Sequence, residues 1–242
     1  MTASKEPEGD PGESSGILPD ALLHNLELAA TILMAVAAIL TAWTAFQSTK
    51  WGGVQANSFS EAGASRTEST RFSTLAGQQA QVDISGFTNW LNVLQADIRA
   101  GDAQIPPSAT EYVPTNDTLS GFLFERFREE FMPAVDAWLN TEPFTNVNAP
   151  STPFDMPEYE LAAQQEAEFL KVAAEESSQV AREANQTADE YVIITVAAAM
   201  VLFFAGLSSK LIRPRNRVLM LGLGLVVFVF ALFLVVRLPI EI

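Results

Sequence analysis

Three uncharged apolar segments stand out in the pattern of hydrophobic and polar positions along the chain. They cover residues 28–46, 191–207 and 218–236. At a rise of about 1.5 Å per residue, helices of roughly this length cross a hydrocarbon core of about 30 Å. The pattern therefore predicts an all-α membrane protein. Its three transmembrane helices are predicted at residues 23–46, 191–208 and 218–237.

The polar segment between the first two spans, residues 47–190, also has a helical pattern. Its apolar residues lie three or four positions apart, or multiples of that spacing, which predicts a long helix over 51–100 and a returning helix over 157–190. Prolines interrupt the segment between them, so residues 101–156 are predicted to form a small cap of short helices and loops. Together these elements predict an antiparallel helical hairpin with a cap.

Local signals refine this prediction. Gly52 and Gly53 mark a position where the first long helix could bend, and Pro157 suits the first turn of the returning helix. Asp117 is the expected N-cap of a short helix in the cap. One face of that helix is predicted to carry Leu119, Leu123, Phe127 and Phe131, and Arg126 is predicted to pair with Glu130, four positions away.

Polar side chains also lie within the two long helices. They are Gln78, Gln79, Gln81 and Asp83 in the first, and Gln164, Gln165, Gln179 and Asn185 in the second. Such residues either form hydrogen bonds between helices that fix their register, or face water.

The short link between the second and third spans, residues 209–217, determines the predicted orientation. It contains basic residues and no acidic one, which predicts a cytoplasmic position; its basic residues are Lys210, Arg213, Arg215 and Arg217. By alternation, residues 1–22 form a cytoplasmic tail, while 47–190 and 238–242 are exoplasmic. The tail contains a single lysine, is otherwise acidic and is rich in Gly, Pro and Ser, which favours disorder over a signal peptide.

Charge narrows the set of partners. The formal net charge is -15, which disfavours nucleic acid and anionic lipid because both would be repelled. The expected partners are the lipid bilayer and either a second copy of the chain or another membrane protein. The chain has no cysteine and one histidine, His24, so thiolate sites and histidine clusters are excluded.

No catalytic or cofactor motif is found, and the sequence predicts no enzyme activity, cofactor or metal. Several acidic side chains together leave a weak calcium site open. Glu27 borders the first span and is a candidate intramembrane ionisable residue, with snorkelling to the interface as the alternative. Trp43, Phe46 and Trp51 are expected at the outer membrane interface.

Two function hypotheses follow. The preferred one is a non-enzymatic membrane protein whose exoplasmic helical domain mediates assembly or partner binding. The alternative is an oligomeric ion channel or transporter subunit lined by the first span, whose polar residues are Thr31, Thr41, Thr44 and, just beyond it, Gln47.

Five stretches of the sequence carry a resemblance. They are AWTAFQSTKWGGVQANSFSEAGASRTESTR, DISGFTNWL, FERFREEFMPAVDAWL, TPFDMPEY and EANQTADEYV. In these stretches the chain resembles an uncharacterised group of bacterial three-span membrane proteins. The resemblance covers nearly the whole chain and implies a multi-pass protein of the bacterial inner (plasma) membrane. It implies no activity, cofactor or site residue.

Overall fold

The computed structural model describes residues 20–115 and 117–241, and their side chains from residue 23 onward. Its regular elements in this part of the chain are all helical. They are α1 (Asp20–Ala100), α2 (Leu119–Phe124), α3 (Met132–Leu139), a 3₁₀ turn (Pro153–Asp155), α4 (Ala162–Lys210) and α5 (Pro214–Val235). The all-α prediction is confirmed.

Within the described residues, three helices are long and apolar enough to cross a membrane: His24–Ala100, Ala162–Lys210 and Pro214–Val235. The first two predicted spans lie within α1 and α4, whereas the third, 218–237, extends two residues beyond the end of α5. α1 is helical throughout, including Gly52 and Gly53, where a bend was expected. The predicted disordered tail lies outside the described residues, except for Asp20 to Leu22, which belong to α1.

The chain divides into two compact units. Among the described residues, unit 1 comprises 20–57 and 181–241, and unit 2 lies within 58–180. All three uncharged apolar segments belong to unit 1, whereas the cap belongs to unit 2. α1 and α4 contribute to both units.

Unit 1 is built on small side chains. Leu33 and Ala37 of α1 pack with Val201 and Ala205 of α4, and a second cluster brings Leu40, Ile194, Ala198 and Ala231 together. A Cβ placed on Gly224 of α5 would meet the Cβ of Phe204 at 3.4 Å. Small residues let apolar helices approach closely, and dispersion contacts then hold the helices together without a hydrophobic driving force.

Unit 2 has an aromatic core. Phe87, Trp90 and Leu94 project from α1 at helical spacing and are buried. They pack against residues of the cap, namely Phe124, Phe131, Ala134, Val135, Trp138 and Leu139. The edge-on contact between Phe87 and Trp138, at 5.2 Å between ring centroids, is typical of aromatic pairs. These rings hold the cap on the last turns of α1.

Beyond this core, the two long helices of unit 2 contact each other through small residues. Ala62 and Ala76 of α1 are buried, as are Ala167 and Ala174 of α4, each pair separated by multiples of seven positions. Hydrogen bonds join the helices: Arg66 Nη2 donates to Ser178 Oγ at 2.6 Å, and Ser69 Oγ donates to the Ala167 carbonyl at 2.7 Å.

The helices of the cap and the start of α4 differ from the prediction. The short helix is divided into α2 and α3 by residues 125–131, so Phe127 and Phe131 lie outside α2. Asp117 is not its N-cap, because Thr118 Oγ1 accepts the hydrogen bond from the Gly121 amide at 3.1 Å. α4 begins at Ala162 and not at Pro157.

The predicted Arg126–Glu130 pair was wrong as well. The Arg126 guanidinium lies 3.4 Å from the centroid of the Phe122 ring. Glu130 instead accepts a hydrogen bond from Arg128 Nη1 at 2.9 Å. The four-residue spacing brings two side chains together only on a continuous helix, and the chain is not helical between α2 and α3.

Candidate functional site

Asp83 is the centre of a buried polar cluster in unit 2. Its carboxylate accepts two hydrogen bonds from Arg128, from Nε at 3.0 Å and from Nη2 at 3.2 Å. Tyr159 donates a third from its hydroxyl at 3.2 Å. The Asp83 side chain is 1% exposed, so this bidentate ion pair is shielded from water on the carboxylate side.

The cluster joins three parts of the sequence: α1, the turn between α2 and α3, and the residues before α4. Burial, followed by the nearby Asp83 charge, raises the pKa of Tyr159 to about 12. The Asp83 hydrogen bond raises the pKa of Arg128. Tyr159 is therefore a neutral donor at physiological pH, and Arg128 is a permanent cation. A satisfied network of this kind fixes one arrangement of the cap.

The other polar residues of the two long helices differ in their hydrogen-bond partners. Gln81 donates to Ser85 on its own helix, and Gln165 donates to Glu160. In unit 1, Asn185 of α4 accepts from Gln55 of α1 at 2.8 Å, which is a hydrogen bond between helices. In unit 2, the Gln79 Oε1 atom is buried without a hydrogen-bond partner. Only some of these residues therefore join one helix to another.

The residues after α5 are held against the other helices of unit 1. We call residues 238–241 the C-terminal segment. Gln47 Nε2 donates to the Glu241 carbonyl and Gln47 Oε1 accepts from the Glu241 amide, both at 3.0 Å. The Pro239 carbonyl accepts from Trp51 Nε1 and from the Tyr191 hydroxyl, both at 3.1 Å. These four hydrogen bonds attach the C-terminal segment to α1 and α4.

The threonine hydroxyls of the first span form hydrogen bonds to groups of the protein itself. Thr31, Thr41 and Thr44 donate to backbone carbonyls four positions earlier, at 2.9, 2.7 and 2.9 Å. Thr195 Oγ1 also donates to Thr44 Oγ1 at 2.8 Å, joining α4 to α1. Backbone bonding of this type satisfies a hydroxyl in an apolar environment.

Glu27 and Arg217, two charged residues that border apolar segments, contact each other. Arg217 Nη2 lies 3.0 Å from Glu27 Oε1, and the Arg217 side chain is 8% exposed whereas that of Glu27 is 61% exposed. Arg217 is also fixed through its carbonyl, which accepts from Ser208 at 3.0 Å. The ion pair therefore joins the first helical turns of α5 to α1.

The remaining basic residues of the link lie around the start of α5. Lys210 is the last residue of α4, Arg213 is the N-cap of α5, and Arg215 is in its first turn.

Among the aromatic residues expected at the opposite interface, Trp43 and Phe46 are exposed, and their ring centroids lie 6.1 Å apart. Trp51 holds the C-terminal segment.

The described residues include no group of three or more His, Cys, Asp or Glu side chains placed to hold a metal ion. An open surface depression in unit 2 is bordered by Glu130, Glu158 and Glu160, of which Glu130 is paired with Arg128.

Sequence reasoning missed the cluster around Asp83 because Arg128 and Tyr159 are distant from it along the chain. The usable signal was Asp83 itself, an acidic residue seven positions from the buried residues Ala76 and Trp90. A carboxylate at a buried helical position requires a cationic or hydrogen-bonding partner.

Comparison of the chain with family models, curated proteins and solved structures finds no match.

Proposed function

We propose that the chain is a non-enzymatic multi-pass protein of the bacterial inner membrane whose exoplasmic helical domain mediates assembly or partner binding. Three helices of sufficient length and apolar character support the membrane location. The bacterial origin rests on the resemblance of the sequence stretches quoted above. The excess of basic residues in the 209–217 link supports a cytoplasmic link and N-terminus, with unit 2 and the C-terminal segment outside.

Within this proposal, unit 2 is an antiparallel helical hairpin of the coiled-coil type. The bonds from Arg66 to Ser178 and from Ser69 to Ala167 support it, because the contacting position moves backward along α4 as it moves forward along α1. The seven-residue spacing of buried alanines supports it too, since a heptad repeat keeps one narrow face of each helix on its partner.

The observation that carries the partner-binding role is a set of exposed apolar side chains on α4 in unit 2. Phe169 is 67% exposed, Val172 51% and Val180 48%, and all three lie outside the uncharged membrane segments. Their spacings of three and eight positions place them on adjoining faces of one helix. Apolar side chains clustered in water mark a surface that another protein covers.

We propose that a second copy of the chain covers this surface. Unit 2 is acidic, so two copies repel each other, and burial of apolar side chains must supply the favourable free energy of contact. A two-fold arrangement meets this need because the same apolar surface is used by both copies.

The test is mass measurement of the full-length protein in a gentle detergent or in nanodiscs. We expect a homo-oligomer that Phe169→Glu weakens by about ten-fold or more, because a charge at a buried contact is strongly unfavourable. Val147→Glu is the matched control, since Val147 is 97% exposed in a cap loop. A monomeric wild-type protein, or equal masses for the two variants, would contradict self-association.

The orientation is tested with single cysteines in intact cells. Val147→Cys and Ile212→Cys suit this purpose because these residues are 97% and 98% exposed and lie in unit 2 and in the basic link. A membrane-impermeant thiol reagent should label Val147→Cys alone. Labelling of Ile212→Cys alone would reverse the proposed orientation.

The alternative, an oligomeric channel or transporter subunit, requires α1 to line a water-filled path. Thr31, Thr41 and Thr44 already donate to backbone carbonyls, so their hydroxyls offer such a path acceptor lone pairs and no donor. Reconstitution in liposomes tests it through potassium, chloride and proton flux. Protein-dependent flux that changes in Glu27→Gln or Thr41→Val would favour the channel over the assembly role.

A further inference from the structure

A cavity of about 310 Å³ in unit 1 combines an apolar wall with two opposite charges. It lies between the start of the apolar part of α4 and the end of α5, and its lining consists of Glu190, Ile193, Ile194, Leu234, Arg237 and Leu238. Its volume is at the lower end of the range for small-molecule sites. Glu190 directly precedes one uncharged apolar segment and Arg237 directly follows another. The charges therefore mark the level at which the apolar surface ends.

Glu190 and Arg237 do not form an ion pair with each other in the described structure, although both line this cavity. Glu190 Oε1 accepts a hydrogen bond from Gln186 Nε2 at 3.2 Å, and this bond does not use the second carboxylate oxygen. The Arg237 guanidinium carbon lies 4.0 Å from the centroid of the Phe233 ring. Both groups thus retain hydrogen-bonding capacity toward a ligand.

The cavity is also held in place by the bonds of the C-terminal segment. The Pro239 carbonyl accepts from Trp51 and Tyr191, and Pro239 is two positions after Arg237. These bonds restrict the backbone on which Arg237 and Leu238 lie, so less conformational entropy is lost when a ligand binds.

We propose that this cavity binds one phospholipid whose headgroup carries a primary amine, that is, phosphatidylethanolamine. Arg237 binds the phosphate and Glu190 binds the ammonium group, while the upper methylenes of an acyl chain lie on Ile193, Ile194 and Leu234. Arginine pairs well with phosphate, and a carboxylate accepts hydrogen bonds from an ammonium group. This inference rests on the proposed membrane location and not on the partner-binding role.

The paired charges explain the choice of headgroup. A headgroup with negative charge alone would be repelled by Glu190. A choline headgroup has a positive charge but no N–H, so it cannot donate a hydrogen bond to the Glu190 carboxylate. The ethanolamine headgroup supplies both a phosphate and an N–H donor, and it complements both charged residues.

The full-length protein should be reconstituted in vesicles of phosphatidylethanolamine, phosphatidylcholine and phosphatidylglycerol with matched acyl chains, then released in gentle detergent for native mass spectrometry. We expect about ten-fold higher retention of phosphatidylethanolamine than of the other two, since charge-assisted hydrogen bonds are the strong ones. Arg237→Gln should lower the retention of every phospholipid. Glu190→Gln should abolish the preference for phosphatidylethanolamine over phosphatidylcholine.

Asp189→Asn is the matched control, because it removes a neighbouring carboxylate that does not line the cavity. It should retain the wild-type preference. Equal retention of the three lipids by the wild-type protein would overturn the proposal, as would a loss of preference in Asp189→Asn as large as in Glu190→Gln. A protein that remains in the aqueous fraction when cells are fractionated would instead overturn the membrane location.

Discussion

The side-chain amide of Gln47 pairs with the backbone of Glu241 through two hydrogen bonds, each 3.0 Å long. Gln47 is fully buried, so both atoms of its amide group need partners, and the Glu241 amide and carbonyl supply them. The pairing resembles one rung of a β-ladder made with a side chain. It attaches the residues after α5 to α1.

Gln47→Leu should destabilise the protein by about 1–3 kcal/mol, because it removes both partners of the Glu241 backbone. Thermal unfolding in a single detergent measures the effect. Gln55→Leu is the matched control in the same unit, since Gln55 makes one exposed hydrogen bond, to Asn185. It should change stability by at most about 0.5 kcal/mol. If the two variants unfold at the same temperature, the C-terminal segment is not held by Gln47.

Asp83→Asn should destabilise unit 2 by about 1–3 kcal/mol, because Arg128 would lose its bidentate carboxylate partner. Arg128 is partly exposed, so water moderates the loss. Limited proteolysis of the cap and thermal unfolding measure it. Glu130→Gln, which removes the more exposed carboxylate beside Arg128, should cost less than about 1 kcal/mol. A larger effect for Glu130→Gln would contradict the assigned order of importance.

The stability of unit 2 should fall at alkaline pH because of Tyr159. Its pKa is raised from 10.0 to about 12 in the folded protein, first by burial and then by Asp83. The unfolded phenol therefore loses its proton first, so this contribution is intact below about pH 10 and is lost as the pH rises toward about 12. Denaturant unfolding across this range measures the decline.

Tyr159→Phe should show a smaller alkaline decline than the wild-type protein, because it has no phenol to ionise at this position. Tyr112→Phe is the comparison variant, since burial raises the pKa of Tyr112 as well but Tyr159 is retained. An unchanged alkaline decline in Tyr159→Phe would rule out this linkage.

Gly121→Ala should disrupt the start of α2. A Cβ at this position would overlap the backbone carbonyl oxygen of Thr115, so the backbone at Thr115 or Gly121 would have to move. We expect a loss of about 1–3 kcal/mol, measured by thermal unfolding. At Gly63, inside α1, a Cβ would meet no atom within 4 Å. Gly63→Ala should therefore stabilise the protein by about 0.5–1 kcal/mol, and equal effects of the two variants would contradict the close approach at Gly121.

The sequence by itself determined the helical class and the three long apolar helices. Residues 191–207 and 218–236 contain no charge, and no packing information is needed to recognise a segment that suits a hydrocarbon core. The long helices were predictable for a similar reason, since helical periodicity is a local property of the chain. Gly52 and Gly53 lower the helix propensity and were the expected position of a bend, but α1 is helical on both sides of them and through them.

Only the tertiary structure decided which polar residues act together. Asp83 meets Arg128 and Tyr159, and Gln47 meets Glu241, across separations of 45, 76 and 194 positions. No local spacing rule reaches that far. The prediction for the cap was wrong for the same reason. The spacing of apolar residues predicted one helix with Phe127 and Phe131 on its face, but the chain is not helical over residues 125–131, where Arg128 pairs with Asp83 of α1. Short helices have little stability of their own, so packing determines where they end.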